Sequence, residues 1–397
     1  DNDGDQDLYV VSGGNEMPIG DMYYQDRLYL NDGKGQLSRS KTALPIMTSS
    51  GGVVKANDFD KDGDLDLFVG GRLLPGQYPR SGRSYLLENV NGNFKDITST
   101  HGPELEYPGM VTDALWSDQN NDGTQDLILV GEWMPITVFQ NKAGKLVKVE
   151  GDPILEKSNG WWFSISEADI NNDGVLDYVL GNLGENYKYK AKPRAPFNLY
   201  SSDFDNNGEL DIVLSFYQND TLFPLRGKEC STQQIPSLKK KFKDYTSFAT
   251  ATLEDVYDRQ SLEKATHYLA HTFSNSILIN KSDGFELKKM PLEAQVSSVF
   301  GSLYDDFDGD GLNDLVIAGN LFNSEVETPR NDAGTGLFLK GDGSGNFEPI
   351  KNYTSGLHIP GDVKKMKSII IGKNKNPKKG LLIAANNDFV RLLGVAQ

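Results

Sequence analysis

The sequence has 397 residues, of which 38% are hydrophobic and 24% charged, with 41 glycines and 17 prolines; this composition is typical of a turn-rich globular protein. Its net charge of -16, from 56 acidic and 40 basic residues, argues against nucleic acid as a partner, because phosphate groups repel an acidic surface. No apolar run approaches the roughly 18 residues that a membrane-spanning helix needs, and the single Cys230 cannot form an internal disulfide.

One nine-residue pattern recurs along the chain: Asp-x-Asp/Asn-x-Asp/Asn-Gly-x-x-Asp, followed at once by apolar residues. A partial copy opens the sequence, where Asp1, Asp3 and Asp7 fit positions three, five and nine. Complete copies follow at residues 58–66, 118–126, 169–177, 203–211 and 306–314. Because the sequence starts inside the first copy, we expect a first blade truncated at its start, in a piece of a longer protein whose targeting segment is missing.

The segments around each copy predict β-strands. An alternating or apolar segment such as 52–56 precedes each copy, and a run of residues with high β-propensity such as 127–130 follows it. Farther along most units comes a hairpin with a Gly, Asn or Asp turn, as at 28–33 and 337–343. Two hairpins give four strands, the content of one propeller blade.

A seventh unit is predicted in degenerate form at residues 369–383. Its loop carries Asn374 and Asn376 but no acidic residue, so we expect this unit to keep the fold and to have lost the metal. The predicted fold class is therefore all-β: a seven-bladed β-propeller, with residues 1–397 as a single domain.

The spacing of the copies predicts one interruption of this domain. Successive complete copies start at residues 58, 118, 169, 203 and 306, so the intervals are 60, 51, 34 and 103 residues. The short interval suggests an incomplete or unusual blade. The long one predicts a small helical insertion, approximately 216–272, because 237–242 and 253–269 have helical composition.

The pattern indicates calcium. Aspartates at alternate positions of a tight loop point at one centre, glycine at position six permits the turn, and the carbonyl of position seven adds an oxygen. None of the four histidines lies in these loops, so softer metals are disfavoured. An EF-hand would need Glu at position twelve, which is apolar in all five complete copies.

Charge supports the same interpretation. Twenty aspartates occupy ligand positions, and removing them would change the net charge from -16 to +4. Three or four clustered carboxylates repel one another unless a cation neutralises them. The competing interpretation, that these residues merely form turns, is disfavoured by six copies in register.

The Asp-x-Asp-x-Asp-Gly-x-x-Asp-Leu loops resemble the FG-GAP, or VCBS, repeats of integrin α-chain-type propellers, over essentially the whole chain except the insertion. Segments 58–71, 109–135, 223–227 and 235–242 are similar to large bacterial surface proteins that carry an ASPIC/UnbV domain beside such propellers. The resemblance implies a seven-bladed propeller holding about five or six Ca²⁺ ions. It also implies an extracellular or cell-surface location, associated with the outer membrane of a Gram-negative-type bacterium, or a periplasmic one.

Carried over by position, the resemblance also assigns the metal ligands. The side-chain ligands would be Asp58, Asp60, Asp62 and Asp66; Asp118, Asn120, Asp122 and Asp126; Asp169, Asn171, Asp173 and Asp177; Asp203, Asp205, Asn207 and Asp211; and Asp306, Asp308, Asp310 and Asp314. The backbone carbonyls would be those of Asp64, Thr124, Val175, Glu209 and Leu312. The first site has Asp1, Asp3 and Asp7 but lacks position one.

Two further groups have competing interpretations. His267 and His271 lie four apart on the predicted helix, the spacing of a zinc pair, but no third ligand is evident and packing or surface histidines compete. Candidates for an aromatic platform for a sugar or peptide, against a place in the blade core, are Trp133, Trp161, Trp162, Tyr187 and Tyr189.

No catalytic motif is present: the sequence has no nucleophile elbow, phosphate-binding loop, zinc-protease motif or dinucleotide fingerprint. The main hypothesis is a non-enzymatic, calcium-stabilised surface module that binds another protein or a polymer. Two alternatives stay open. One is a polysaccharide-degrading enzyme with an acidic pair in its axial channel. The other is an accessory scaffold subunit of an outer-membrane nutrient-uptake complex, with the insertion as its docking surface.

Overall fold

The structure, a computed structural model, describes residues 3–324, 328–372 and 378–395. Within these residues the strands form seven antiparallel sheets, so the chain is all-β. Asp1, and the loop residues Asn374 and Asn376 of the predicted seventh unit, lie outside the described residues.

The first three sheets follow one another along the chain. Sheet 1 contains β1 (Leu8–Val10), β2 (Arg27–Asn31) and β3 (Leu37–Ser40). Sheet 2 contains β4 (Ser50–Asn57), β5 (Asp66–Leu73), β6 (Tyr85–Val90) and β7 (Asn93–Asp96). Sheet 3 contains β8 (Met110–Ser117), β9 (Asp126–Met134), β10 (Thr137–Asn141), β11 (Leu146–Lys148) and the short β12 (Gly160–Trp161).

Sheet 4 is interrupted by a second sheet. It begins with β13 (Ser164–Ala168) and β14 (Asp177–Gly181). The chain then forms the inserted sheet, in the order β17-β16-β15-β18, from β15 (Phe197–Ser202), β16 (Asp211–Gln218), β17 (Thr221–Pro224) and β18 (Thr266–Ala270). It returns to complete sheet 4 with β19 (Ser276–Lys281), which pairs with β14, and β20 (Gly284–Lys289).

Two more sheets complete the described chain. Sheet 5 contains β21 (Gly301–Asp305), β22 (Asp314–Ala318), β23 (Leu337–Gly341) and β24 (Phe347–Ile350). Sheet 6 contains β25 (Val363–Ile371), β26 (Lys378–Ala385) and β27 (Arg391–Gly394). The helices are short: α1 (Thr98–His101), α2 (Lys228–Gln234), α3 (Leu238–Lys241), α4 (Tyr245–Ala249), α5 (Leu253–Tyr257), α6 (Arg259–Lys264) and α7 (Asn352–Ser355).

Successive sheets pack face to face, and the central strands are buried on both sides. In β9, Leu127 and Leu129 pack in the cluster shared with sheet 2, whereas Ile128 and Val130 pack in the cluster shared with sheet 4. Because alternate side chains of a strand point to opposite faces, a strand between two sheets is apolar throughout. This explains the unbroken apolar run that follows the Asp-rich loop.

Four edge strands that precede Asp-rich loops (β4, β8, β13 and β21), together with β25, come together around one cavity. Strand β8 packs on β4 and β13, β13 packs on β21, and β21 packs on β25. Side chains from β4, β8 and β25 meet there, as do residues just before β13 and β21. We call this space the axial cavity.

The topology differs from the prediction in two ways. The predicted ring of seven successive blades is not confirmed: the unit at 203–211 lies in the inserted sheet, between the second and third strands of sheet 4. The inserted segment runs between Gly181 and Ser276, wider than the expected 216–272, because β14 pairs with the distant β19. The backbone N–H of Asn182 donates to the side chain of Asn275 at 2.6 Å, so the two ends of the insertion meet.

The helical part of the insertion is also shorter than expected. Strand β18 covers Thr266–Ala270, a segment that the composition of 253–269 assigned to a helix. Pairing of β18 with β15 supplies hydrogen bonds that override the local helix propensity. His267 and His271 therefore do not share a helix face. The His267 ring stacks on Tyr200, with centroids 4.2 Å apart.

Candidate metal centres

Each Asp-rich loop is a tight turn closed by its own side chains. In loop 58–66, the amide of Gly63 donates to Asp58 Oδ2 at 3.2 Å, and the amide of Asp64 donates to Asp62 Oδ1 at 3.1 Å. The same two bonds recur in the other complete loops: Gly123 to Asp118 and Thr124 to Asp122, Gly174 to Asp169 and Val175 to Asp173, Gly208 to Asp203 and Glu209 to Asn207, and Gly311 to Asp306 and Leu312 to Asp310.

The turn depends on two residues with left-handed backbone geometry. In loop 58–66 these are Lys61, with φ of 64°, and Gly63, with φ of 98°. Position four of the other complete loops is an asparagine or a glycine, the residues that adopt positive φ at least cost: Asn121, Asn172, Asn206 and Gly309. The chain thus reverses twice within nine residues and turns alternate side chains inward.

Among the residues that the structure describes, three loops gather carboxylates closely enough to share one cation. In each, three carboxylates offer oxygens that all lie within 4.8 Å of one another. The clusters are Asp58, Asp60 and Asp62; Asp203, Asp205 and Asp211; and Asp306, Asp308 and Asp314. Oxygen donors in such numbers match the preference of Ca²⁺.

Two aspartates of these clusters have a buried oxygen without a hydrogen-bond partner: Asp58 Oδ1 and Asp205 Oδ1. In loop 58–66, Asp64 Oδ1 and Asp66 Oδ2 are also buried and without a partner. Burial raises the pKa of Asp66 to about 7 and that of Asp126 to about 6. A buried, unpartnered carboxylate is costly unless a cation reaches it. The residues present therefore fit a hard divalent cation.

The chain shares this repeat with known proteins. The model of the FG-GAP-like repeat matches residues 1–69, 58–129 and 118–180. Each of these matches spans two successive Asp-rich loops, and neighbouring matches share one loop. Residues 1–180 carry FG-GAP-like repeats.

Other comparisons are more distant. No curated protein matches the sequence significantly. An Agrocybe aegerita lectin that recognises non-reducing terminal N-acetylglucosamine is 15% identical, with a TM-score of 0.30, over 82% of this chain and 74% of that chain. The V. cholerae biofilm matrix protein Bap1 is 12% identical, with a TM-score of 0.38, over 100% and 76%. Saccharomyces cerevisiae Sqt1 is 12% identical, with a TM-score of 0.41, over 94% and 79%.

The FG-GAP-like loops are not equivalent. In loops 118–126 and 169–177 an asparagine replaces one aspartate, and its amide nitrogen donates to a neighbouring carboxylate: Asn120 to Asp122 at 2.9 Å and Asn171 to Asp173 at 2.8 Å. The asparagine lowers the negative charge of these loops. Their predicted ligands lie in one turn but do not form a three-carboxylate cluster like those above.

A lysine side chain of the protein contacts the carboxylates of loop 306–314. The ammonium group of Lys340, from β23, contacts Asp308 and lies 2.7 Å from Asp310. These contacts raise the pKa of Lys340, so it stays charged. Sequence reasoning missed Lys340 because it lies 26 residues after the loop ends, in a strand that pairs with β22.

The partial first loop keeps some of the same bonds. Asp3 Oδ1 accepts the amide of Asp5 at 3.1 Å, and Asp7 Oδ1 accepts the amide of Asn31 at 2.9 Å. Asp5, which sequence reasoning did not include, has a buried Oδ1 without a hydrogen-bond partner.

Sequence reasoning also missed an asparagine that hydrogen-bonds to the aspartate at position nine of the repeat. The backbone N–H of this asparagine donates to the ninth-position aspartate at 2.8 or 2.9 Å: Asn31 to Asp7, Asn89 to Asp66, Asn141 to Asp126 and Asn280 to Asp177. Its side-chain amide donates to the carbonyl just before that aspartate. The detectable signal was an Asn two to four residues before a turn Gly in each of these units.

Two of these asparagines also join neighbouring sheets. Asn141 Nδ2 donates to the carbonyl of Phe59 at 2.6 Å, and Asn280 Nδ2 donates to that of Gln119 at 2.7 Å. Phe59 and Gln119 are the second residues of the preceding loops. The geometry of one loop is therefore tied to the next sheet.

The aromatic candidates lie in the core. Trp161, Tyr187 and Tyr189 are buried with Phe197 and Trp133 in one cluster between sheet 3 and the inserted sheet. Their rings contact one another, as in the stacking of Tyr189 on Phe197 at 4.7 Å, and so cannot form an open platform. No helix in the described ranges combines the length and apolar character needed to cross a bilayer.

Proposed function

We propose that this chain is a non-catalytic β-propeller-type module that binds calcium for stability and presents its loops to another protein or a polymer outside the cell. The observation that carries the calcium part is the set of buried carboxylate oxygens without hydrogen-bond partners inside the Asp-rich loops. A cation held by Asp58, Asp60 and Asp62 would supply the missing partner of Asp58 Oδ1, and one held by Asp203, Asp205 and Asp211 would supply that of Asp205 Oδ1.

The ions would act on stability and not on chemistry. Binding to the folded state alone stabilises it by about 1.4 kcal/mol per site when calcium exceeds its dissociation constant tenfold. Sites of the extracellular kind have dissociation constants of about 10⁻⁴–10⁻³ M, which suits calcium levels outside cells. An exported or surface location is therefore part of the proposal, and it requires that the sites have affinities in this range.

The axial cavity supports a non-catalytic role. A glycosidase needs two carboxyl groups about 5–9.5 Å apart at one cleft. Among the described residues that line the cavity, Asp113 is the single carboxylate, and the ammonium groups of Lys55 and Lys365 lie 3.0 and 2.9 Å from its oxygens. An acid engaged in this way is a poor general acid or base.

Thermal unfolding of the purified chain tests the proposal. Excess EGTA should lower the melting temperature by many degrees relative to millimolar Ca²⁺. Mg²⁺ at the same concentration should restore little, because it demands near-octahedral geometry and releases its water reluctantly. Identical melting curves with Ca²⁺ and with EGTA would exclude a structural role for calcium.

A further inference from the structure

The axial cavity has a charge opposite to that of the chain. Its volume is about 520 Å³, within the roughly 300–1,000 Å³ typical of small-molecule sites. Four cationic side chains line it, against one carboxylate: Lys55, Arg72, Lys364 and Lys365 against Asp113. The whole chain, by contrast, carries a net charge of -16.

The buried acid of the cavity is fully engaged. Asp113 is 2% exposed, and it accepts the amides of Ala114 at 3.0 Å and Ile165 at 3.3 Å in addition to its two lysine contacts. It holds Lys55 and Lys365 side by side, from sheets 2 and 6. One carboxylate neutralises only one of these two ammonium groups, so a positive charge remains between them.

Arg72 is the third cationic side chain of the cavity. Its Nη2 contacts Glu132, but its Nη1 is buried and has no hydrogen-bond partner. Because this nitrogen is buried, Arg72 contributes its positive charge to the cavity and not a hydrogen bond to a ligand.

The fourth cation is committed elsewhere. Lys364 pairs with Asp362 at 2.7 Å and lies 3.8 Å above the ring of Phe300, which stacks on Phe163. Three carboxylates contact the four cationic side chains: Asp113, Glu132 and Asp362. These seven side chains together carry one net positive charge. The walls of the axial cavity also include Val53 and the two phenylalanines, so part of the cavity is apolar.

We propose that the axial cavity binds a small organic oxyanion, a carboxylate or phosphate group carried on a body of sugar or ring size. The oxyanion meets the ammonium groups of Lys365 and Lys55, Arg72 adds positive charge beside them, and the body lies against the apolar wall. A cleft lined by positive charge focuses the electrostatic field, which raises the local concentration of an anionic ligand and its association rate at low salt. This site is separate from the Asp-rich loops.

Titration calorimetry on the full chain in calcium tests the proposal, with galacturonate, glucose 6-phosphate, glucose and inorganic phosphate as probes. We expect at least one of the two charged sugars to bind at least tenfold more tightly than glucose. Binding of neither charged sugar would overturn the proposal. Inorganic phosphate that bound as tightly as either charged sugar would overturn the assignment of an organic ligand.

Lys365→Gln is the informative variant, because this side chain is 60% exposed and Asp113 keeps its contact with Lys55. Removing a charged partner should weaken oxyanion binding about tenfold. Lys367→Gln, in the same strand but outside the cavity, is the matched control and should bind as the wild type does. If the melting curves show that both proteins are folded, equal affinity in Lys365→Gln and wild type would place the ligand elsewhere and refute the proposal.

Discussion

Asp66 provides a sharp test, because calcium reverses the expected sign of one substitution. The side chain is fully buried; its Oδ1 accepts the amide of Asn89 at 2.8 Å, whereas its Oδ2 has no hydrogen-bond partner. Asparagine at this position keeps the shape and can still accept the bond from Asn89. Asp66→Asn therefore changes mainly the charge.

The magnitude follows from the pKa. Burial raises the pKa of Asp66 from 3.8 to about 7. At about 1.4 kcal/mol per pKa unit, the ionised group would destabilise the calcium-free fold by about 4 kcal/mol as an upper limit, and relaxation should reduce this to about 1–3 kcal/mol. Because the pKa is raised in the folded state, the calcium-free chain should also gain stability as the pH falls from about 7 towards 4.

Two conditions then give opposite results. In EGTA, Asp66→Asn should melt above the wild type, since a buried charge is gone. In millimolar Ca²⁺ it should melt below the wild type, since a metal ligand is gone. Asp283→Asn, an exposed acid outside the loops, serves as the charge control and should shift little in either condition. If Asp66→Asn shifted the melting temperature in the same direction in both conditions, the reasoning would be wrong.

Three further predictions concern residues outside the loops. Lys340→Gln removes the ammonium group that contacts Asp308, so the calcium affinity of loop 306–314 should rise severalfold in a calcium titration; an unchanged or weaker affinity would contradict competition by Lys340. Asn141→Ala removes the 2.6 Å bond to the carbonyl of Phe59 together with the bonds to Gln125 and Gly144. Asn89→Ala removes only the equivalent bonds to Leu65 and Gly92, so Asn141→Ala should cost more, by about 1–3 kcal/mol in denaturant unfolding; equal effects would refute the link between sheets. Burial raises the pKa of Asp26 to about 6, so ionisation of Asp26 destabilises the fold more at pH 7 than at pH 5. The difference in unfolding free energy between Asp26→Asn and the wild type should therefore change by about 1–2 kcal/mol between these two pH values. A difference that stayed constant would contradict the raised pKa.

Much of the local structure could be predicted because it is encoded within nine residues. The Asp and Gly positions of a loop such as 58–66 specify the turn, and the apolar run behind it specifies a strand buried on both faces. The same logic predicts which carboxylates face inward. The residue at position three also separates the loops that gather three acids, which have aspartate there, from those in which Asn120 or Asn171 donates to its neighbour.

The order of the sheets could not be predicted because it depends on pairing between distant residues. The loop at 203–211 has the same local pattern as the others, yet it belongs to a sheet inserted within sheet 4, because Val179 in β14 pairs with Ile277 in β19. Nothing within a nine-residue window encodes that choice. The axial cavity has the same origin, since Asp113 and Lys365 are 252 residues apart and meet only when the sheets pack.

The central claim is that the Asp-rich loops hold divalent cations, and X-ray diffraction from crystals grown in Ca²⁺ tests it most directly. Anomalous difference maps should show density within the clusters Asp58–Asp60–Asp62 and Asp203–Asp205–Asp211, which have the unpartnered oxygens and no lysine contact. Well-ordered loops in such crystals, with water or lysine but no anomalous density at these clusters, would contradict the account.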